Sequence, residues 1–466
     1  MRRSLVSNYK LPNLKLEIGF ARRIRAGTWV SLLWILLAGA FPAAQAQLHP
    51  GYNYEEKDVH PYTLPDPLTL ANGKPVRNRT MWYKQRRPEI LQLFEQNVYG
   101  HTPAHAQVPL RYKVEEAGTL ALNGTTIRRQ VTIYFTGNGE AGPKMHLLVY
   151  LPATATKPVP LILGLNFQGN QTVSADPGII LHEIWLRDPA LGAPYDPKTP
   201  VKHTLGMPAE NSRGRQSQEW QVEEVVRRGY GLATAYYGDI EPDFAEGMKY
   251  GVRPLFFRQG QTEPGPDEWG AVGAWAWGLS QALDYLLTDK HIDGHKVAVT
   301  GHSRLGKTAD WAAAQDTRFT ALLSTESGKG GQSLYRRNLG ENIGHLVDPY
   351  GYWFCRNFRQ WVGRDSEIPV DGNLLLSLIA PRPLYVASAE DDRWSDPRGE
   401  FLSAADAGRV YQLLGKQGLG TDQMPAVDHP IMHTIAYHVR TGKHDVTAID
   451  WQHYLDFLDA QWGVRK

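Results

Sequence analysis

The sequence predicts an α/β fold, a three-layer sandwich in which a mostly parallel central sheet carries helices on both faces. Three observations predict it. Short apolar, β-branched runs recur between residues 128 and 439, helix-forming stretches separate them from residue 219 onward, and residues 296–315 join an apolar run to a helical stretch through a glycine-flanked turn. Parallel neighbours need a crossover of a dozen or more residues, usually a helix, so this alternation is the mark such a sheet leaves in a chain.

The elements follow in order. From Arg128 to Leu151, Val131, Ile133 and Phe135 and then Leu147, Val149 and Leu151 predict two strands, joined by the turn-rich Thr-Gly-Asn-Gly-Glu-Ala-Gly-Pro. Val159 to Leu165 predicts a buried strand ending in Asn-Phe-Gln-Gly-Asn, and residues 172–216, rich in proline, glycine and polar side chains, predict a long loop over the site. A helix over Glu219–Arg228, a short strand over Gly231–Tyr236 and a helix over Trp269–Thr288 lead into the strand around Val297, Ala298 and Val299. Thr320–Ser324 and Leu384–Ala389 predict two more buried strands, each followed by an acidic residue. Ile435–Val439 predicts the last strand, and a terminal helix runs around Trp451 to Trp462. In such a sheet the C-terminal strand ends share one edge, where residues distant in sequence meet.

Composition sets the class. With 466 residues, 42% hydrophobic and 21% charged, the chain is globular and long enough for a large core, which excludes disordered and fibrous classes. Arg22, Arg23 and Arg25 precede an apolar run from Trp29 to Phe41, and Ala44-Gln45-Ala46 offers a small-x-small cleavage pattern. Residues 1–46 are therefore expected to be a signal peptide, exporting residues 47–466 to the periplasm or out of the cell as one catalytic domain with the 172–216 insertion. The apolar run falls short of the roughly 20 helical residues that span a bilayer, so no stable membrane span is expected after cleavage. Seven basic residues and one acidic residue leave with it, and the formal net charge of +2 falls by six to −4. Nucleic acid is thereby excluded as an expected partner, because phosphate binding needs clustered positive charge. The single cysteine, Cys355, forms no internal disulfide and reads as a buried packing residue in Tyr-Trp-Phe-Cys.

The chemistry starts at Lys-Val-Ala-Val-Thr-Gly-His-Ser-Arg-Leu-Gly-Lys, residues 296–307, which places Ser303 on a sharp turn between strand and helix. That is where α/β-hydrolases hold a nucleophilic serine. Gly301 spares the turn a colliding side chain, while the usual second glycine is displaced by one position, with Leu305 in its place and Gly306 next. A serine hydroxyl needs a base, and the base needs an acid that holds its tautomer. His444 fits best, just past the last strand and before the terminal helix; His429 and His433 lie in the preceding loop, and His438 sits inside the strand pattern and reads as structural. Glu326 and Asp392 follow two different strands and both could serve as the acid, with position alone favouring Asp392.

Six ordered segments carry a resemblance. Leu-Asn-Phe-Gln-Gly-Asn at 165–170, Arg-Gly-Tyr-Gly-Leu-Ala-Thr-Ala-Tyr-Tyr-Gly-Asp at 228–239, Gly-His-Ser-Arg-Leu-Gly-Lys at 301–307, Glu-Ser-Gly-Lys-Gly-Gly at 326–331, Asp-Asp-Arg-Trp-Ser-Asp-Pro at 391–397 and Gly-Lys-His-Asp-Val-Thr at 442–447 make the chain similar to bacterial glucuronoyl esterases. That carbohydrate esterase family (family fifteen) cleaves esters between 4-O-methyl-glucuronic acid on xylan and lignin alcohols. The resemblance implies Ser303 as nucleophile, His444 as base, Glu326 as acid with Asp392 as a second carboxylate, and Arg304 facing the developing oxyanion. It assigns sugar recognition to Lys307, Glu341 and Trp394. Thr325 stands where many relatives carry asparagine and His302 where fungal members carry cysteine, and neither is expected to touch the triad. The 172–216 insertion has no clear counterpart in compact fungal members and bears on which alcohols fit.

The expected activity is hydrolysis of glucuronoyl esters of glucuronoxylan and lignin alcohols through a serine acyl-enzyme, by a monomer. An acetyl-xylan or feruloyl esterase on the same fold is the alternative, and a non-catalytic carbohydrate-binding protein a more distant one. No metal and no cofactor are expected, since neither zinc-type ligand spacing nor a phosphate-binding loop is foreseen.

Overall fold

Runs of apolar residues without polar alternation belong in strands covered on both faces, and here they occupy the centre of one sheet. In the computed structural model, which describes residues 49–103, 109–137, 141–188 and 201–464, twelve strands form among the described residues. They are β1 (Arg111–Ala121), β2 (Thr126–Tyr134), β3 (Lys144–Pro152), β4 (Val159–Asn166), β5 (Ile184–Asp188), β6 (Lys202–Gly206), β7 (Gly231–Tyr236), β8 (Ile292–His302), β9 (Ala321–Thr325), β10 (Leu384–Ala389), β11 (Ile431–Met432) and β12 (Ile435–Arg440). Ten make one sheet in the order β1-β2-β3-β7-β4-β8-β9-β10-β12-β11. The run from β7 through β12 is parallel, and antiparallel strands flank it on both sides.

Strand periodicity divides the core into two layers. Leu161, Leu163, Leu384 and Val386 face the helices Ala271–Leu286, Arg304–Gln315 and Pro397–Leu413, whereas Ile162, Tyr385 and Ala387 face Val222–Arg227 and Ala448–Trp462. The N-terminal section joins the first layer: Trp82, Ile90, Phe94 and Tyr99 are buried there, and Tyr99 stacks on Trp311 at 4.4 Å. Residues Ala46–Lys466 pack as one unit. The proposed signal peptide lies outside the described residues, and among those described no helix is long and apolar enough to cross a membrane.

Three elements depart from the sequence reading. The edge strand β1 escaped it because its side chains are mostly exposed and its few apolar residues do not alternate with polar ones. The helix foreseen over Glu219–Arg228 breaks at Gln221, whose φ of 41° is left-handed, into Ser217–Trp220 and Val222–Arg227. The stretch 172–216, foreseen as loop, contains the hairpin β5–β6, paired from Ile184 with Gly206 to Asp188 with Lys202. Its packing comes from aromatic contacts of Trp185 and His203 with Phe244, at ring separations of 5.1 and 4.3 Å, which no local pattern announces.

Candidate active site

Ser303 stands between β8 and the helix Arg304–Gln315 with φ 57° and ψ −128°, a conformation that costs a non-glycine residue about 1–3 kcal/mol. The surrounding chain holds it there. The Ser303 N–H donates to Thr325 O at 3.0 Å, and a side chain at Gly301 would lie 1.9 Å from Leu305 O. Gly306 lets the new helix press on the end of β9, since a Cβ there would stand 2.8 Å from Ser327 Cβ. The displaced glycine thus serves close packing.

Residues 301–308 also have the Gly-x4-Gly-Lys-Thr spacing of a phosphate-binding loop, which corrects the expectation that none occurs. The backbone does not form such a loop. Its helix already begins at Arg304, the Lys307 N–H donates to Ser303 O at 3.1 Å, and the Lys307 ammonium is buried against Ser327 O and Glu341.

His444, Glu326, Asp392 and Ser303 line one cavity of about 510 Å³ at the C-terminal edge of the parallel strands. His444 Nδ1 lies 2.7 Å from Asp392 Oδ2 and 3.2 Å from Glu326 Oε2. The shorter contact therefore goes to the carboxylate after β10. Burial would raise the Asp392 carboxyl, but His444 and Ser395 hold it below the usual range. Burial and the neighbouring Asp392 push Glu326 well above its usual range, against the pull of Arg440. The two carboxyls beside one imidazole are thus pushed in opposite directions, Asp392 down and Glu326 up. Arg440 donates to Glu326 Oε1 at 3.1 Å and the Asp445 N–H to Oε2 at 2.9 Å, so Glu326 is fixed in place. His438 is buried between Asp450 and Tyr385, at 2.9 and 3.0 Å, as expected of a structural histidine.

Lys307, Glu341 and Trp394 line the same cavity. Lys307 Nζ reaches Glu341 Oε1 at 3.4 Å, and the Glu341 N–H donates to Trp394 O at 3.0 Å. Arg336 and Arg337, a few residues before Glu341, pair instead with Asp371 and with Asp396 and Glu56. Trp394 is surrounded by His49, Tyr52 and His345, at ring separations of 4.3 to 4.9 Å.

Arg304 also borders the cavity, but one guanidinium nitrogen donates to Asp243 Oδ2 at 2.7 Å, and the group lies 5.0 Å over Trp353. Asp243 collects Tyr237 OH, Tyr352 OH and Trp353 Nε1 at 2.7–2.8 Å as well. Burial alone would raise this carboxyl; Arg304 and these donors hold it below the usual range. Sequence reasoning missed Asp243, which lies beyond the helix that follows β7 and belongs to no periodic or motif pattern. It also missed His302. Foreseen as remote from the triad, His302 in fact sits with Nε2 3.2 Å from Glu326 Oε2 and its ring 4.5 Å from that of His444, because β8 and β9 pair His302 with Thr325. Thr325, likewise expected not to touch the triad, does so through its carbonyl, which accepts the Ser303 N–H, while its side chain is bonded to Tyr454 OH. Cys355 is buried and free, as foreseen.

A family model described as glucuronyl esterase, fungi, matches residues 264–415. The carbohydrate esterase MZ0003, from an unknown prokaryotic organism, is 44% identical over 409 residues, covering 88% of this chain and 92% of that protein. A glucuronoyl esterase structure from Solibacter usitatus superposes with a TM-score of 0.82 at 51% identity, over 88% of this chain and 100% of that one. A second, from Teredinibacter turnerae, gives 0.72 at 31% identity, over 88% and 92%. Identity and architecture agree along the length of the relatives, and the chain belongs to the glucuronoyl esterase family, carbohydrate esterase family 15.

Proposed function

We propose that this protein is a serine carboxylesterase that hydrolyses esters of (4-O-methyl-)glucuronic acid on glucuronoxylan, releasing lignin-type alcohols. One observation carries the reading: the His444–Asp392 contact of 2.7 Å opens onto the cavity that Ser303 shares with Lys307, Glu341 and Trp394. Ser303 Oγ attacks the uronoyl carbonyl and passes its proton to His444 Nε2, while Nδ1 stays with Asp392. Negative charge gathers on the carbonyl oxygen beside the Arg304 guanidinium and the unpaired N–H groups at the start of its helix. The oxyanion collapses, the alcohol leaves with the His444 proton, and water releases the acyl group by the same route.

The Lys307–Glu341 pair offers both a donor and an acceptor to adjacent ring hydroxyls, and the Trp394 indole covers the C–H face of the sugar. Across Arg304 a second cavity of about 500 Å³ is walled by Phe167, Trp185, Phe244 and Tyr352, which suits an aromatic leaving alcohol. Every group this reaction uses lies within one chain, so a monomer would suffice for it. Residues 1–46 are read as its export signal, directing it to the periplasm or beyond.

Turnover of benzyl or methyl glucuronate, compared with release of acetate from acetylated xylan, tests the assignment. A preference for the glucuronate ester by orders of magnitude is expected, and dominant acetate release would sink it. Ser303→Ala should abolish hydrolysis and keep binding of glucuronoxylan fragments; undiminished turnover removes the nucleophile.

A further inference from the structure

A serine-histidine-acid set contains one imidazole. Here the residue before the serine brings a second. Among the described residues, His302, Glu326 and His444 form a group whose ligand atoms all lie within 4.8 Å of one another. Glu326 Oε2 is 3.2 Å from His302 Nε2 and 3.2 Å from His444 Nδ1. Zinc binds imidazole nitrogen and carboxylate oxygen at about 2.0–2.2 Å, so a tetrahedral ion separates its ligands by about 3.4 Å. The two measured spacings are close to that edge.

We propose that His302, Glu326 and His444 form a zinc-binding site that inhibits the esterase by seizing its base. Two imidazoles with a carboxylate select a borderline cation of the zinc class over magnesium or calcium. The Glu326 carboxyl is already oriented, because Arg440 and the Asp445 N–H hold its two oxygens at 3.1 and 2.9 Å, an outer shell of the kind that keeps metal ligands in place. Asp392 Oδ2, 2.7 Å from His444 Nδ1, supplies a fourth ligand atom at the margin. His444 is the most exposed of the three ligands, its side chain 39% accessible, and forms the approach from the cavity. The bound ion takes Nδ1 from Asp392 and fixes the ring, so that His444 no longer accepts the Ser303 proton. Binding itself rests on geometry alone; only the inhibition rests on the proposed function.

Zinc chloride is titrated into Ser303→Ala protein by calorimetry, with thermal unfolding followed in parallel. We expect one ion per chain and a melting temperature that rises with zinc by mass action. Adding His302→Gln should weaken zinc by about a hundredfold, the upper end of what losing even an outer-shell partner costs. His302→Cys, which replaces imidazole by a thiolate ligand, should restore binding and separates ligand loss from misfolding. In the unmutated enzyme zinc should suppress turnover, a chelator should restore it, and His302→Gln should be insensitive relative to its own basal rate. Equal zinc affinity with and without His302, or no saturable binding, overturns the site. Saturable, His302-dependent binding without any glucuronate ester turnover sustains the site and defeats only the functional reading.

Discussion

Changing one carboxyl at a time divides the acid role that two residues contest. In the transition state of the proposed reaction His444 becomes an imidazolium 2.7 Å from Asp392 Oδ2. At an effective dielectric of about 20 that contact is worth about 6 kcal/mol, and because the His444 side chain is 39% exposed, solvent screening brings it to about 4 kcal/mol. Asp392→Asn keeps the shape and removes the charge, so kcat should fall about a thousandfold at 1.36 kcal/mol per decade. Glu326 is pushed by burial and by Asp392 toward its neutral form. Glu326 also stands farther from His444, at 3.2 Å, and its oxygens are engaged by Arg440 and the Asp445 N–H, so Glu326→Gln should cost less than about tenfold. The assay is kcat on benzyl glucuronate for both single variants and the double variant, whose non-additivity reports their coupling. A Glu326→Gln loss equal to or larger than that of Asp392→Asn would refute the assignment of the main acid role to Asp392.

Asp243→Asn leaves the Arg304 guanidinium without its buried partner, so unfolding in urea should show a loss of about 3–5 kcal/mol with slower turnover; unchanged stability would show that the pair contributes nothing to folding. Trp394→Ala removes the indole face and should raise KM roughly fivefold, about 1 kcal/mol, while kcat stays near its starting value, as steady-state kinetics on benzyl glucuronate would read. Burial would raise Asp450, yet His438, Arg440 and Thr447 hold its carboxyl down to about 2 from 3.8. A depressed carboxyl stabilises above its unfolded value, so about 2 kcal/mol should be fully present above pH 4 and be lost as pH falls toward 2. Denaturation curves across that range should steepen this loss in the native chain relative to Asp450→Asn, and parallel curves would count against it.

The strands of the parallel centre were legible because both their faces are buried. β7 and β10 run over Gly231–Tyr236 and Leu384–Ala389, the bounds that apolar continuity predicts. Ser303 was legible because a strand, a glycine-spared turn and a helix are all local. β1 and the hairpin β5–β6 were not, since an exposed edge and a wall held by Phe244 leave no periodic signature.

The central parallel strands, the serine turn and the ionisable residues waiting beyond the strand ends were determined by the sequence alone, because each depends on neighbours within a few residues. Which carboxyl meets the imidazole, that Asp243 grips Arg304, and that His302 joins Glu326 and His444 were decided only by tertiary structure. Those contacts depend on the register of β8, β9, β10 and β12 across the sheet, where a shift of one residue turns every side chain to the opposite face.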